Sequence, residues 1–168
     1  MAEIENAIIM AAGLGTRMRP LTYKTPKPLI RVAGKPMVES VIEGLHQNGI
    51  YDISIVVGYL AEQFNYLGEK YPEVKLINNP YYNQYNNISS LYVARNELKN
   101  TVILDGDQLV MNPKLLKREF THSGYAGAKI GQFTDEWIMH PDQNGKILQC
   151  DRSGNDHGWR LYSLSKWQ

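Results

Sequence analysis

Four short runs rich in Ala, Ile, Val and Leu constrain this chain more than any other feature: Ala7–Ala11, Ile53–Val57, Val74–Ile77 and Thr101–Leu104. Each is the length of a buried strand, and the segments between them carry apolar residues at helical spacing. Met37, Val41, Ile42 and Leu45 follow Pro36 and stop at Gly49. Ala61, Phe64, Leu67 and Tyr71 predict a second amphipathic helix ending before Pro72, and Leu91, Tyr92, Arg95 and Leu98 predict a third over Ser89–Leu98. Strand alternating with helix predicts an α/β fold, a Rossmann-like, mostly parallel sheet with flanking helices. After Pro113 a short helix through Leu115, Leu116 and Phe120 is expected, followed by short antiparallel strands near 126–133, 136–139, 146–150 and 159–164 toward the C-terminus. At 168 residues, without an internal repeat or linker, the chain reads as one domain, 1–168.

Charge narrows the ligand class. The net charge is +1, which gives no overall pull toward nucleic acid or an anionic membrane. The distribution is uneven, however. From Asn6 to Val38 there is no Asp or Glu, and six cations stand there: Arg17, Arg19, Lys24, Lys27, Arg31 and Lys35. A basic N-terminal loop on an otherwise acidic chain suits a compact anion; a solvated basic face is the plainer alternative. The single cysteine, Cys150, excludes an internal disulfide framework and fits a reducing compartment. The longest apolar stretch, Ala7–Ala12, is too short to span a bilayer, so a cytoplasmic location is expected.

The basic segment opens with Gly13-Leu-Gly15-Thr-Arg17 directly after the first strand. Glycines there let backbone N–H groups approach phosphates at the sheet's C-terminal edge, although tight strand–loop connections use glycine for structural reasons as well. A dinucleotide fingerprint fails because Met18 replaces its third glycine, and a Walker A loop fails for want of Gly-Lys-Ser/Thr. The continuation is far more specific: Arg17-Met-Arg-Pro-Leu-Thr22, then Thr25-Pro-Lys-Pro-Leu29. Prolines stiffen this loop, and Arg17 and Lys27 are placed to neutralise charge developing on a phosphoryl group. Asp105-Gly106-Asp107 closes the fourth strand, either as a turn or as carboxylates for a divalent cation.

Ala7–Leu29 resembles the signature of nucleotidyltransferases that activate sugar phosphates and related alcohols with NTPs. Ile55–Leu60, Tyr85–Tyr92, Asp105–Asp107 and Asp135-Glu-Trp137 resemble most closely the bacterial choline-phosphate cytidylyltransferases. The resemblance implies transfer of a cytidylyl group from CTP to phosphocholine, giving CDP-choline and pyrophosphate, with Mg²⁺ as cofactor. It implies Arg17 and Lys27 as catalytic residues and Asp107 as the metal ligand. Nucleotide contacts fall to Ala11, Ala12, Gly13, Gly15, Thr16, Asn86, Asn87 and Ser90, and choline contact to Trp137. Asn86 and Asn87 have amides that suit a pyrimidine edge and could equally cap the following helix. A quaternary ammonium is best held over an aromatic face, which suits Trp137. The four histidines and Cys150 are scattered without ligand or nucleophile spacing and are assigned no chemistry. The related enzymes extend beyond the region matched here. That further segment carries a second metal aspartate and more choline-pocket aromatics, so the chain reads as lacking the family's C-terminal segment. Edge strands left uncovered would favour a homo-oligomer. Two rival readings stay open: a sugar-1-phosphate nucleotidylyltransferase using UTP or dTTP, and a truncated nucleotide-binding module with little turnover.

Overall fold

The computed structural model describes residues 2–129, 131, 133–154 and 158–168. Its contacts gather into two compact units, residues 1–123 with 166–168, and residues 124–165.

In the first unit the four apolar runs form strands: β1 (Asn6–Met10), β2 (Ile53–Val57), β3 (Val74–Asn78) and β4 (Thr101–Asp105). They lie in the order β4-β1-β2-β3, every pairing parallel. Ile8, Ile9, Ile53, Ile55, Val56 and Leu104 are wholly buried, which is why β1, β2 and β4 read as largely apolar runs, whereas the edge strand β3 leaves Lys75 exposed. Helix α1 (Met37–His46) follows Pro36 as expected, burying Val38, Val41, Ile42 and Leu45, and Gly49 closes it at a φ of 72°.

The next two helices are shorter than the periodicity predicts. Leu60 takes a left-handed conformation, so Ala61–Phe64 begins as a 3₁₀ turn and only Asn65–Lys70 is α-helical (α2). The third, α3 (Ile88–Val93), ends at Val93 rather than Leu98, because the chain tightens into a second 3₁₀ turn, Arg95–Glu97. Apolar spacing survives both changes, since Phe64 and Leu67 remain fully buried. The segment after Pro113 is also corrected: Pro113–Leu116 is one 3₁₀ turn capped by the Asn112 side chain. Phe120 instead belongs to a two-residue strand, Glu119–Phe120, antiparallel to Ala2–Glu3.

The second unit contains strands Gly124–Lys129, Ile138–Pro141, Ile147–Asp151 and Trp159–Trp167 as far as Ser165. Ile138–Pro141 pairs antiparallel with both Ile147–Asp151 and the start of Trp159–Trp167. The antiparallel C-terminal strands are therefore present, although residues 130 and 132 of the expected 126–133 segment lie outside the described residues. Cys150 is exposed on Ile147–Asp151, with no disulfide. No helix among the described residues is long and apolar enough to cross a membrane.

Candidate nucleotide site

The strand order decides where a ligand can sit. From β1 the chain winds outward through β2 and β3, then returns to place β4 on the opposite side of β1. The turns leaving β1 and β4 therefore diverge, opening the crevice in which parallel sheets bind ligands. A cavity of about 280 Å³ lies there. Ala11, Ala12, Gly13, Gly15, Thr16, Arg17, Lys27, Asn87, Ser90 and Asp107 all line it, along with Met10, Pro28 and Asp105. Ten of the expected residues, spread over nearly a hundred positions, thus face one space. Asn86 does not line it; its carbonyl instead accepts bonds from the Ser89 backbone and hydroxyl, both at 3.0 Å. Asn87 is the first residue before α3 but makes no capping bond with its side chain, which leaves its amide to the cavity.

Local chemistry shapes the loop after β1. Gly15 has a φ of 62°, and a Cβ on it would lie 2.9 Å from Thr22 Cγ2, so glycine is required for both conformation and space. The Thr22 hydroxyl donates to the Gly15 carbonyl at 2.8 Å. Tyr59, just past β2, donates its hydroxyl to the Thr22 carbonyl at 2.9 Å, and its backbone N–H donates to the Ala12 carbonyl at 3.1 Å. Gln63 adds a bond to the Lys24 carbonyl at 2.9 Å. The loop is thus held by its own threonine and by the β2–α2 connection. Tyr59→Phe, which removes one bond worth about 1 kcal/mol, is expected to lower nucleotide affinity about fivefold with little change in turnover of bound substrate. Titration of the nucleotide against both proteins checks this; equal affinities would mean that Tyr59 does not hold the loop.

The other wall is made by the β4 turn. A Cβ on Gly106 would lie 3.2–3.3 Å from the Ile9, Ala11 and Pro28 side chains, so the turn packs tightly there and a larger residue would push these neighbours by a few tenths of an ångström. That contact sets Asp107 beneath Lys27, and the two form an ion pair, each side chain about a quarter exposed. Asp105 and Asp107 offer hard oxygen donors on one side of the cavity, and no group of three or more His, Cys, Asp or Glu suited to a metal occurs among the described residues. That donor set fits Mg²⁺, which takes one or two carboxylates and draws its other ligands from phosphates and water. It does not fit a closed zinc-type cage.

Trp137 lies in the second unit, 44% exposed, with the Arg152 guanidinium 5.4 Å from its ring centroid. Away from the cavity, His140 pairs with Asp151 at 2.8 Å, and the Gln149 amide together with this contact holds the Asp151 carboxyl below its usual range. Three features escaped the sequence reading. Met10 and Pro28 line the cavity, and Asn79, fully buried, stands behind Ser90. Nothing in the sequence separates Asn79 from an ordinary residue of the turn after β3.

The MobA-like NTP transferase domain family matches residues 7–147 of the chain. The chain is 48% identical, over 92% of its length, to a 2-aminoethylphosphonate cytidylyltransferase of Lancefieldella rimae, of which the match covers 64%. It is 47% identical over 79% of its length to a choline-phosphate cytidylyltransferase of Streptococcus pneumoniae, of which the match covers 57%. The chain thus spans less than two thirds of the length of these two relatives. Among solved structures, the CTP:phosphocholine cytidylyltransferase of Streptococcus pneumoniae superposes with a TM-score of 0.84 at 40% identity, covering 99% of this chain and 71% of that one.

Proposed function

Because the chain belongs to the MobA-like NTP transferase domain family, we propose that it transfers a cytidylyl group from CTP to a small phosphorylated amino alcohol, with phosphocholine as the acceptor. The observation that carries this reading is the convergence of the Gly13–Gly15 loop, Arg17, Lys27 and Asp107 on one cavity at the divergence of the β1 and β4 turns. The names of the cytidylyltransferase relatives support the choice of CTP.

In this reading an acceptor phosphate oxygen attacks the α-phosphorus of CTP in line. A new P–O bond forms, the bond to the β-phosphate oxygen breaks, and pyrophosphate departs with the electron pair. No covalent enzyme intermediate is needed, so positioning and charge stabilisation provide the catalysis. Backbone amides of the Gly13–Gly15 loop hold the phosphates, Arg17 bonds oxygens that gain charge in the transition state, and Lys27 turns from Asp107 to the incoming triphosphate. Mg²⁺ bound on the Asp107 and Asp105 side would neutralise triphosphate charge. Ser90 and Asn87 meet the base.

Trp137 is assigned to the acceptor's ammonium. Its ring already lies beneath one cation, Arg152, and a trimethylammonium group needs a face of that kind rather than a hydrogen-bond partner. Trp137→Ala is expected to raise the acceptor KM about tenfold, as loss of a desolvated cation–π contact should, and to leave the KM for CTP unchanged. Steady-state kinetics with each substrate varied separates the two; equal changes in both constants would remove Trp137 from the acceptor site. A second reading takes 2-aminoethylphosphonate as acceptor, supported by the Lancefieldella rimae relative. Pyrophosphate release should be measured with CTP and Mg²⁺ plus phosphocholine, 2-aminoethylphosphonate or glucose-1-phosphate, and again with UTP. Fastest release from CTP with phosphocholine is expected. Preference for the phosphonate would change the acceptor alone, and release only with UTP and the sugar phosphate would overturn the cytidylyl reading.

A further inference from the structure

Behind the cavity wall, Asn79 is 1% exposed and fully hydrogen-bonded. Its Oδ1 accepts from the Tyr81 backbone N–H at 2.9 Å. A backbone N–H can only donate, so the amide orientation is fixed and the NH₂ group faces α3. That group donates to the Ser89 hydroxyl oxygen at 3.0 Å and to the Ser90 hydroxyl oxygen at 3.1 Å. A serine hydroxyl has one proton to give. Ser89 spends its proton on the Asn86 carbonyl at 3.0 Å. Ser90, which lines the cavity, donates to no acceptor in the hydrogen bonds found among the described residues.

We propose that Asn79 is the positioning residue for nucleobase choice: by donating to Ser90 it turns the Ser90 hydroxyl into a proton donor toward the cavity, matched to the N3 acceptor of cytosine. This inference rests on the CTP reading above and deepens it. Cytosine presents an acceptor at N3, whereas uracil and thymine present N3–H. Against uracil, two donors would meet unless the Ser90 proton turned away, where it finds no partner at a position only 5% exposed. A buried donor without an acceptor is costly, and mismatches of this kind separate otherwise similar ligands strongly. Asn79 need not touch the nucleotide; it acts through the direction of one O–H bond.

The test inverts that bond. In Asn79→Asp the carboxylate still accepts from the Tyr81 N–H but now also accepts from Ser90, so Ser90 presents a lone pair to the base. CTP and UTP binding should be measured by calorimetry, with Mg²⁺ present, on the parent, on Asn79→Asp and on Ser90→Ala. The parent is expected to favour CTP. The CTP:UTP affinity ratio is expected to fall about tenfold or more in Asn79→Asp, with UTP affinity rising, and to fall toward unity in Ser90→Ala. A merely structural Asn79 would weaken both nucleotides together and leave the ratio alone. If the buried carboxylate prevents folding, the Ser90→Ala ratio decides. A parent that favours CTP, with the ratio unchanged in every variant that folds, overturns the role of Asn79 and leaves the CTP reading standing. A parent that does not favour CTP overturns both.

Discussion

Arg17→Ala is expected to lower turnover by about 10²–10³-fold, the scale set by removing one preorganised donor from a developing oxyanion. The melting temperature should stay within about 2 °C of the parent, because Arg17 is exposed on the 3₁₀ turn Thr16–Met18, none of whose residues is buried. Arg17→Lys keeps the charge but loses the planar fork, and should recover only part of the rate. Single-turnover kinetics beside thermal unfolding gives both quantities. Near-parental turnover in Arg17→Ala would remove this side chain from the chemistry.

Asp107→Asn is expected to have an effect of similar size through a different route. The substitution keeps the shape of the side chain and removes its charge, so the turn around Gly106 persists while the carboxylate proposed to hold Mg²⁺ is lost. Several kcal/mol of charge stabilisation, about 10³-fold in rate, is at stake. The Lys27–Asp107 pair is partly exposed, and such pairs contribute about 0–1 kcal/mol, so stability should barely change. The distinguishing readout is metal dependence: the variant should need much higher Mg²⁺ to reach its own maximum. An unchanged Mg²⁺ titration together with a parental rate would show that Asp107 holds no metal and serves Lys27 alone.

Much of this architecture was visible in the residues. The three inner strands were legible because a strand covered on both faces is largely apolar, as in Ile53–Val57, where Ser54 is the one polar residue; the edge strand β3 showed less clearly, with Lys75 exposed. The glycine loop was legible because stiffness, cations and glycines at fixed spacing coincide nowhere else in the chain. Helix lengths were less legible: a 3₁₀ turn preserves the apolar spacing near Phe64 and Leu67 while changing the hydrogen-bond ladder, and periodicity does not register the difference. Asn86 and Asn87 looked equivalent as neighbours with identical side chains, yet a single step along the backbone sends only Asn87 to the cavity. Asn79 was invisible for a deeper reason. Its significance lies in which way an amide faces, and that is fixed by a backbone N–H two residues later and by two serines ten residues on. Tyr59, which braces the glycine loop through the Thr22 carbonyl, was equally unmarked in the sequence.

The pairing of Met10 with Asp105 joins the two walls of the cavity across 95 residues of chain. Neither wall is a binding element by itself, and everything between them must be threaded before the second reaches the first. Closing so long a loop has an entropic cost that only the completed parallel sheet offsets. Occupancy of the cavity is therefore coupled to the cooperative unfolding of the whole first unit. A nucleotide at a hundred times its dissociation constant would add about 2.7 kcal/mol to that transition by mass action, so a rise in melting temperature would report ligand binding without any turnover. A fragment ending before Thr101 would retain the glycine loop yet show no such rise, since the opposite wall would never form.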